Sequence, residues 1–459
     1  MTSDDKQTWT PAERDGRVIM IDVLRGLAIL WVMTFHLWQD MSIWKDPTGP
    51  IGGTSRLYEA VRDRLAEGHP LAALTAAGEV VLGTGFFGVS VFMMLSGISL
   101  TMNAYRRGDG GAVRPFLMRV WRLLVPFWWG VAITVATIAA IATLKVWLDG
   151  GTYHDAWFDV RIAGINRVQV RWDDVAWALT VVPWLFREKG ITIPVGSMWF
   201  VALLLQYYLL FPVALRFLRR NGPWRLIVLG IAITLVSRFL METLGAEWID
   251  LGHRARTLTA FAPFRLAEFT TGMAIGYALV HERDAVGEYV KSPVDVAGIL
   301  VIALLLLIAG AYVTPGIDGL LHAGELSVKL RITFADPLIL LGLPMLALPL
   351  LFKAPGRFEV SALARVLVFV GVVSFPALIV NESMRYFSSF LREEDLPSVA
   401  WWVFLVVVYI PGSVLLAYPL AARWGLLPRQ RQRAATTASP LSSPIDARVQ
   451  STPAASGGA

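Results

Sequence analysis

Two side chains in the stretch IDVLRGLAILWVMTFH can do chemistry that its apolar neighbours cannot: Arg25 and His36. Histidine exchanges protons near neutral pH and serves as a general base or a nucleophile. Arginine keeps its charge and grips carboxylates or phosphates with two parallel donors. The two residues are eleven positions apart. Eleven helical steps of about 100° end about 20° past three full turns, so both share one helix face, about 16 Å apart along the axis. An arginine at the centre of a bilayer costs roughly 2.5–3.5 kcal/mol on insertion scales, so it usually faces water or protein. Spacing alone equally allows a plainer reading, in which Arg25 reaches one membrane boundary and His36 is an interfacial polar residue at the other.

Other segments carry further candidates. RPFLMRVWRLLVPFW (114–128) sets Arg119 and Arg122 three apart, a spacing that suits either bidentate phosphate contacts or anchoring on the basic side of a membrane. FRLAEFTTGMAIGY (264–277) places Arg265 three before Glu268, a compensated pair that serves as helix-to-helix glue or takes a direct part. SMWFVALLLQYYLLFP (197–212) arrays Trp199, Gln206, Tyr207 and Tyr208 along one helix, and GVVSFPALIVNES (371–383) contains Ser374, Asn381 and Glu382. In FFGVSVFMMLSGISLT (86–101), Gly88, Ser90, Ser96 and Gly97 are explained by close helix packing. Arg238 also lies within an apolar block, without an assigned role. The chain has no cysteine, which excludes disulfides, thiolate metal sites and a cysteine nucleophile, and no metal site is expected.

These residues need membrane helices to hold them. The 459 residues are 55% hydrophobic and 17% charged, with a mean hydropathy of +0.56. A soluble domain carries more charge and fewer apolar side chains. The apolar residues also fall in blocks of about 20, the length that crosses a bilayer. The pattern predicts an all-α integral membrane protein of about ten transmembrane helices, at 18–39, 80–103, 121–147, 198–218, 224–244, 258–281, 293–314, 332–352, 361–385 and 398–424. Segments 54–67 and 157–186 mix charge with tryptophan or apolar residues at helical spacing, which predicts short interfacial helices. Net charge is +6, yet the basic residues lie between apolar blocks rather than on one patch, so nucleic acid is not the expected partner. Arg106, Arg107, Arg114, Arg216, Arg219, Arg220, Arg225, Lys353 and Arg357 fall in alternate loops, which predicts both termini in the cytoplasm. Residues 1–17 form a polar cytoplasmic segment unlike a signal peptide, 18–424 the membrane-embedded domain, and 425–459 a disordered cytoplasmic tail.

Taken in order, these motifs resemble the membrane-bound acyltransferase-3 family, bacterial enzymes that move an acyl group from acyl-CoA onto a carbohydrate or similar hydroxyl acceptor. The likeness spans most of residues 17–424. LRG followed by His resembles the family's first-helix signature, FFGVSVFMMLSG its second-helix pattern, RPFLMRVWRLLVPFW its arginine-rich third segment, and FRLAEFTTGM its Arg-x-x-Glu-Phe segment. The resemblance implies His36 as the catalytic residue and Arg25 as its essential partner. It implies cytoplasmic acyl-CoA, acetyl-CoA by family habit, as donor substrate rather than bound cofactor. It further implies O-acetylation in the plasma or inner membrane among its lipids, with a cell-envelope polysaccharide, a lipid-linked sugar and a small hydroxylated metabolite all open as acceptors. Arg119 and Arg122 are plausible donor-phosphate contacts, while Glu268, Arg265, Glu382 and Trp199 are auxiliary candidates. The chain departs from the family pattern at Leu204, where many members carry an acidic residue, and at Asn381, where many carry histidine. A proton-coupled transporter and an acyltransferase-like protein without catalysis are the competing readings.

Overall fold

The computed structural model describes residues 11–45, 81–107, 113–160, 172–180, 198–244, 260–282, 292–313, 325–352, 361–393 and 404–424, with isolated positions between them. Every regular element among them is helical. The long helices in chain order are α1 (Pro11–Lys45), α2 (Gly88–Arg107), α3 (Val113–Asp149), then two short ones, α4 (Tyr153–Asp159) and α5 (Trp172–Leu179). They continue as α6 (Trp199–Asn221), α7 (Pro223–Leu244), α8 (Leu266–His281), α9 (Pro293–Val313) and α10 (Glu325–Phe352). The chain closes with α11 (Ala362–Val372), α12 (Ser374–Glu393) and α13 (Ile410–Arg423), the last preceded by a π-helical turn, Phe404–Tyr409.

Helix stands at each of the ten expected places, but the expected number of spans is not reached. Among the described residues six helices are long and apolar enough to cross a membrane, and α11 with α12 would make a seventh. α8 is 16 residues long and α13 only 14, while α10 carries charges in its first half and keeps its apolar part to Pro337–Pro349. The expected single helix at 361–385 is instead two helices bent by 74° at Val373. Pro376 explains the break: proline fits the first turn of α12 but would clash with the carbonyl four residues back in a continuous helix. Segment 157–186 does contain helical pieces, the end of α4 and all of α5, with Trp157 and Trp172 stacked at 5.6 Å. Segment 54–67, residues 1–10 and the tail from 425 lie outside the described residues, apart from single positions.

Local signals set the helix ends. Ser361 caps α11 by accepting from the Ala364 amide at 3.0 Å. Gly222, at φ 82°, ends α6 in a conformation that lets Pro223 open α7 directly. α9 leaves Val294, Val301, Leu304, Leu305 and Ile308 exposed, a surface that lipid covers at no cost and water would not.

Packing between helices depends on glycine. α1 meets α11 where Gly26 faces the Leu367 carbonyl and Gly371 faces the Asp22 carbonyl, so close that a Cβ at either position would overlap backbone. α2 meets α8 in the same way, through Gly97 against the Phe269 carbonyl and Gly272 against the Met94 carbonyl. Neither partner oxygen can move without moving a helix. Gly26→Ala and Gly371→Ala are therefore each expected to destabilise the fold by about 1–3 kcal/mol or more, read as a lowered melting temperature in detergent. Unchanged melting in both variants would mean that α1 and α11 do not make this backbone contact.

Candidate active site

Arg25 projects from α1 toward α2. Its guanidinium donates from Nη1 to Asp22 Oδ1 at 3.0 Å and from Nη2 to Ser99 Oγ at 2.9 Å. The side chain stays about a third exposed, so its charge is held in place yet open to a ligand. Tyr208 of α6 lies within electrostatic reach of both Arg25 and Arg119. Arg119, half-buried on α3, also sits over the Phe211 ring at 5.8 Å. Two of the sequence-derived cations thus lie within electrostatic reach of one α6 side chain. Arg122, on the same helix as Arg119, is exposed.

His36 lies toward the other end of α1, half-buried. Its ring centre is 5.5 Å from that of Phe35, which in turn packs 5.6 Å from Phe86. The next residue, Leu37, is buried with Tyr409, and Met384 and Ile410 pack against that pair. The His36 end of α1 is therefore flanked by the 3-10 turn Gly85–Phe87 on one side and by α12 and the start of α13 on the other.

A second polar group ties α2, α6, α7 and α8 together. Arg265 Nε donates to Glu268 Oε1 at 2.6 Å, and its Nη2 donates to Ser90 Oγ of α2 at 2.7 Å. The guanidinium lies over the Trp199 ring at 5.2 Å, and the Tyr207 hydroxyl donates to the Arg265 carbonyl at 2.7 Å. Arg265 and Glu268 are 4% and 2% exposed, so neither charge is tolerable without the other. Arg238 of α7, fully buried, donates from Nε to the Phe264 carbonyl at 2.9 Å. Gln206 clasps the segment before α8 from both sides, donating to the Ala260 carbonyl and accepting from the Ala262 amide, each at 2.9 Å. Trp199, Arg265 and Glu268, separate candidates in the sequence, are one assembly here.

Glu382 lies apart from that assembly, on α12, wholly buried with Arg385 Nη1 at 3.7 Å from its Oε2. Nearby, the Ser383 and Thr134 hydroxyls share a hydrogen bond of 3.2 Å between α12 and α3. Leu204 is buried in the main apolar cluster and Asn381 is completely enclosed.

Sequence reasoning passed over Asp22, Ser99 and Arg385, and gave Arg238 no role. The i,i+3 spacing of Asp22 with Arg25 and of Glu382 with Arg385 was available as a signal. Nothing local marks Ser99, whose partner is 74 positions away, and nothing local gives Arg238 a role, since its partner is 26 positions away.

A protein-family model described as an acyltransferase domain matches residues 18–418. No curated protein and no solved structure matches the chain.

Proposed function

The chain belongs to the acyltransferase-3 family, and we propose on that premise that it is a membrane O-acyltransferase taking an acyl group, acetyl foremost, from acyl-CoA to a hydroxyl of a carbohydrate or other acceptor. The observation that carries the reading is the layout of α1. It holds a bound but accessible arginine at one level and a histidine about 16 Å further along the same face.

The Arg25 end is the donor side. Arg25 and Arg119, both within electrostatic reach of Tyr208, supply two cations for the anionic portion of CoA, and Arg122 is an exposed basic residue on the same helix as Arg119. His36 does the chemistry at the far end. Its imidazole removes the proton from the acceptor hydroxyl as that oxygen attacks the thioester carbonyl. The carbon–sulfur bond then breaks, and the imidazolium returns the proton to the departing CoA thiolate. A two-step route through an acyl-imidazole on His36 uses the same atoms and ends in the same products. Arg265 with Glu268 and Trp199 fixes α8 against α2 and α6, and Glu382 lies on the helix beside the His36 end. The basic loops favour a cytoplasmic position for the Arg25 end in the plasma membrane, with both termini on that side.

The test uses the full chain in lipid nanodiscs with acetyl-CoA radiolabelled in its acetyl group. Acceptor-dependent release of free CoA, with label recovered on the acceptor, is the expected result. Solute flux in proteoliposomes without label transfer would replace this reading with a transporter.

A further inference from the structure

The hairpin of α6 and α7, joined by Gly222 alone, carries four arginines that the acyl-transfer reading leaves unused: Arg216, Arg219, Arg220 and Arg225. Measured from Leu209 at about 100° per residue, Val213, Arg216 and Arg220 lie with it inside an arc of about 60°. All four side chains are exposed. The buried residues Tyr207, Phe211, Leu215 and Leu218 fall on the opposite side of the helix, about 160–240° around. The stripe is therefore the outer surface of α6, apolar along its length and basic at its last turn. α7 repeats the order from its own end. Trp224, Val228, Leu229 and Val236 are exposed within an arc of about 140°, and Arg225 falls inside that arc. Leu226, Thr234 and Arg238 are buried on the other side.

Anchoring on the basic side of a membrane needs positive charge near a span but is indifferent to where it sits around the helix. Arg219 illustrates that indifference. It lies about 80° off the stripe, over the Tyr105 ring at 5.3 Å, with Tyr277 and His281 packed against the same tyrosine. Arg216, Arg220 and Arg225 are different. None of the three pairs with a carboxylate among the described residues, and each caps an apolar stripe that faces out of the bundle.

Apolar chain followed by anion is the order of groups in a lipid. Arg216 and Arg220 stand about 4.5 and 10.5 Å beyond Val213 along the axis, a span that covers a headgroup layer of about 5–8 Å. Trp224, 77% exposed at the turn, suits the same layer. Guanidinium groups hold phosphate oxygens in pairs. Three of them without a counter-charge favour a headgroup of net negative charge over one whose phosphate is offset by choline. A water-borne anion such as CoA would make no use of the apolar stripes. We infer that the outer face of the α6–α7 hairpin binds an anionic phospholipid, its phosphate held by Arg216, Arg220 and Arg225 and its acyl chains lying along Leu209, Val213 and Val228. The site shares no residue with the Arg25 and His36 machinery, and it stands whether or not the chain transfers acyl groups.

The test places the full-length protein in nanodiscs of equal phosphatidylglycerol and phosphatidylcholine with matched acyl chains. Native mass spectrometry of the released protein then counts which lipid it keeps. The wild type is expected to retain phosphatidylglycerol over phosphatidylcholine by about tenfold or more. Arg216→Gln, Arg220→Gln and Arg225→Gln together should erase that preference. Each change alone, which leaves the remaining basic residues to orient the chain, should reduce it about threefold or more. Arg219→Gln, off the stripe, should keep the wild-type preference. Melting temperature in phosphatidylcholine nanodiscs should stay level throughout, because the altered side chains are exposed. Should the triple variant fail to fold, the three single variants decide the question. Equal retention of the two lipids by the wild type overturns the site, and so does an unchanged preference in all the single variants. An equal loss in Arg219→Gln would overturn it by showing a diffuse effect of charge. Displacement of phosphatidylglycerol by acetyl-CoA would overturn it by giving the arginines to the donor.

Discussion

His36→Ala is expected to abolish acyl transfer while leaving the protein folded and at normal abundance in the membrane. General-base participation contributes about 10²–10⁴-fold to a rate, and loss of a covalent relay at the same atom would cost no less. The expected change in kcat is therefore at least about a hundredfold, with the KM for acyl-CoA nearly unchanged. That split follows from position, since Arg25, which like Arg119 lies within electrostatic reach of Tyr208, sits toward the other end of α1. The label-transfer assay measures it directly, with melting temperature as the control. His36 is half-buried, and its neighbours Phe35 and Leu37 carry the packing, so removal of the imidazole should cost little stability. Transfer at an undiminished rate would eliminate His36 as the reacting group.

Breaking the Arg265–Glu268 pair should have the largest effect on stability. Both groups are nearly inaccessible and 2.6 Å apart. Removing one partner of such a pair leaves an uncompensated buried charge, at a cost of about 3–5 kcal/mol. Glu268→Ala is expected to lose that much, because Arg265 also holds Ser90 and lies against Trp199. Glu268→Gln, which still accepts from Nε, should lose less. Replacing both residues by methionine should cost less than Glu268→Ala alone, since no lone charge remains. Thermal melting in detergent orders the variants. A Glu268→Gln protein that melts normally but transfers no acyl group would assign the glutamate a direct part in the chemistry instead of a clamp.

Much of the site was legible before any fold was known. Arg25 and His36 share a face because helical periodicity demands it. The 265/268 pair is a local contact at i,i+3, and its partners do meet. Local reasoning grouped Arg119 and Arg122, whose surroundings differ, because spacing puts two residues on a face without saying which neighbour that face meets. It also read 361–385 as one helix: hydropathy registers an apolar block and is blind to a bend inside it, although Pro376 marked the place.

The division between the two levels has a physical basis. Membrane insertion and helix formation depend on windows of about 20 residues or fewer, so helical class, the positions of the helices and the sharing of a face by Arg25 and His36 are properties of the chain read locally. Partners across helices are not. Between membrane helices there is no hydrophobic drive to bring particular faces together, and association depends on shape and a few hydrogen bonds. Contacts such as Gly371 on the Asp22 carbonyl, Ser99 on Arg25 and Ser90 on Arg265 set those faces. Only the tertiary structure decided that Arg119 lies over Phe211, within electrostatic reach of Tyr208 as Arg25 is, that Arg265 lies over Trp199, and that α12 buries Asn381, Glu382 and Arg385.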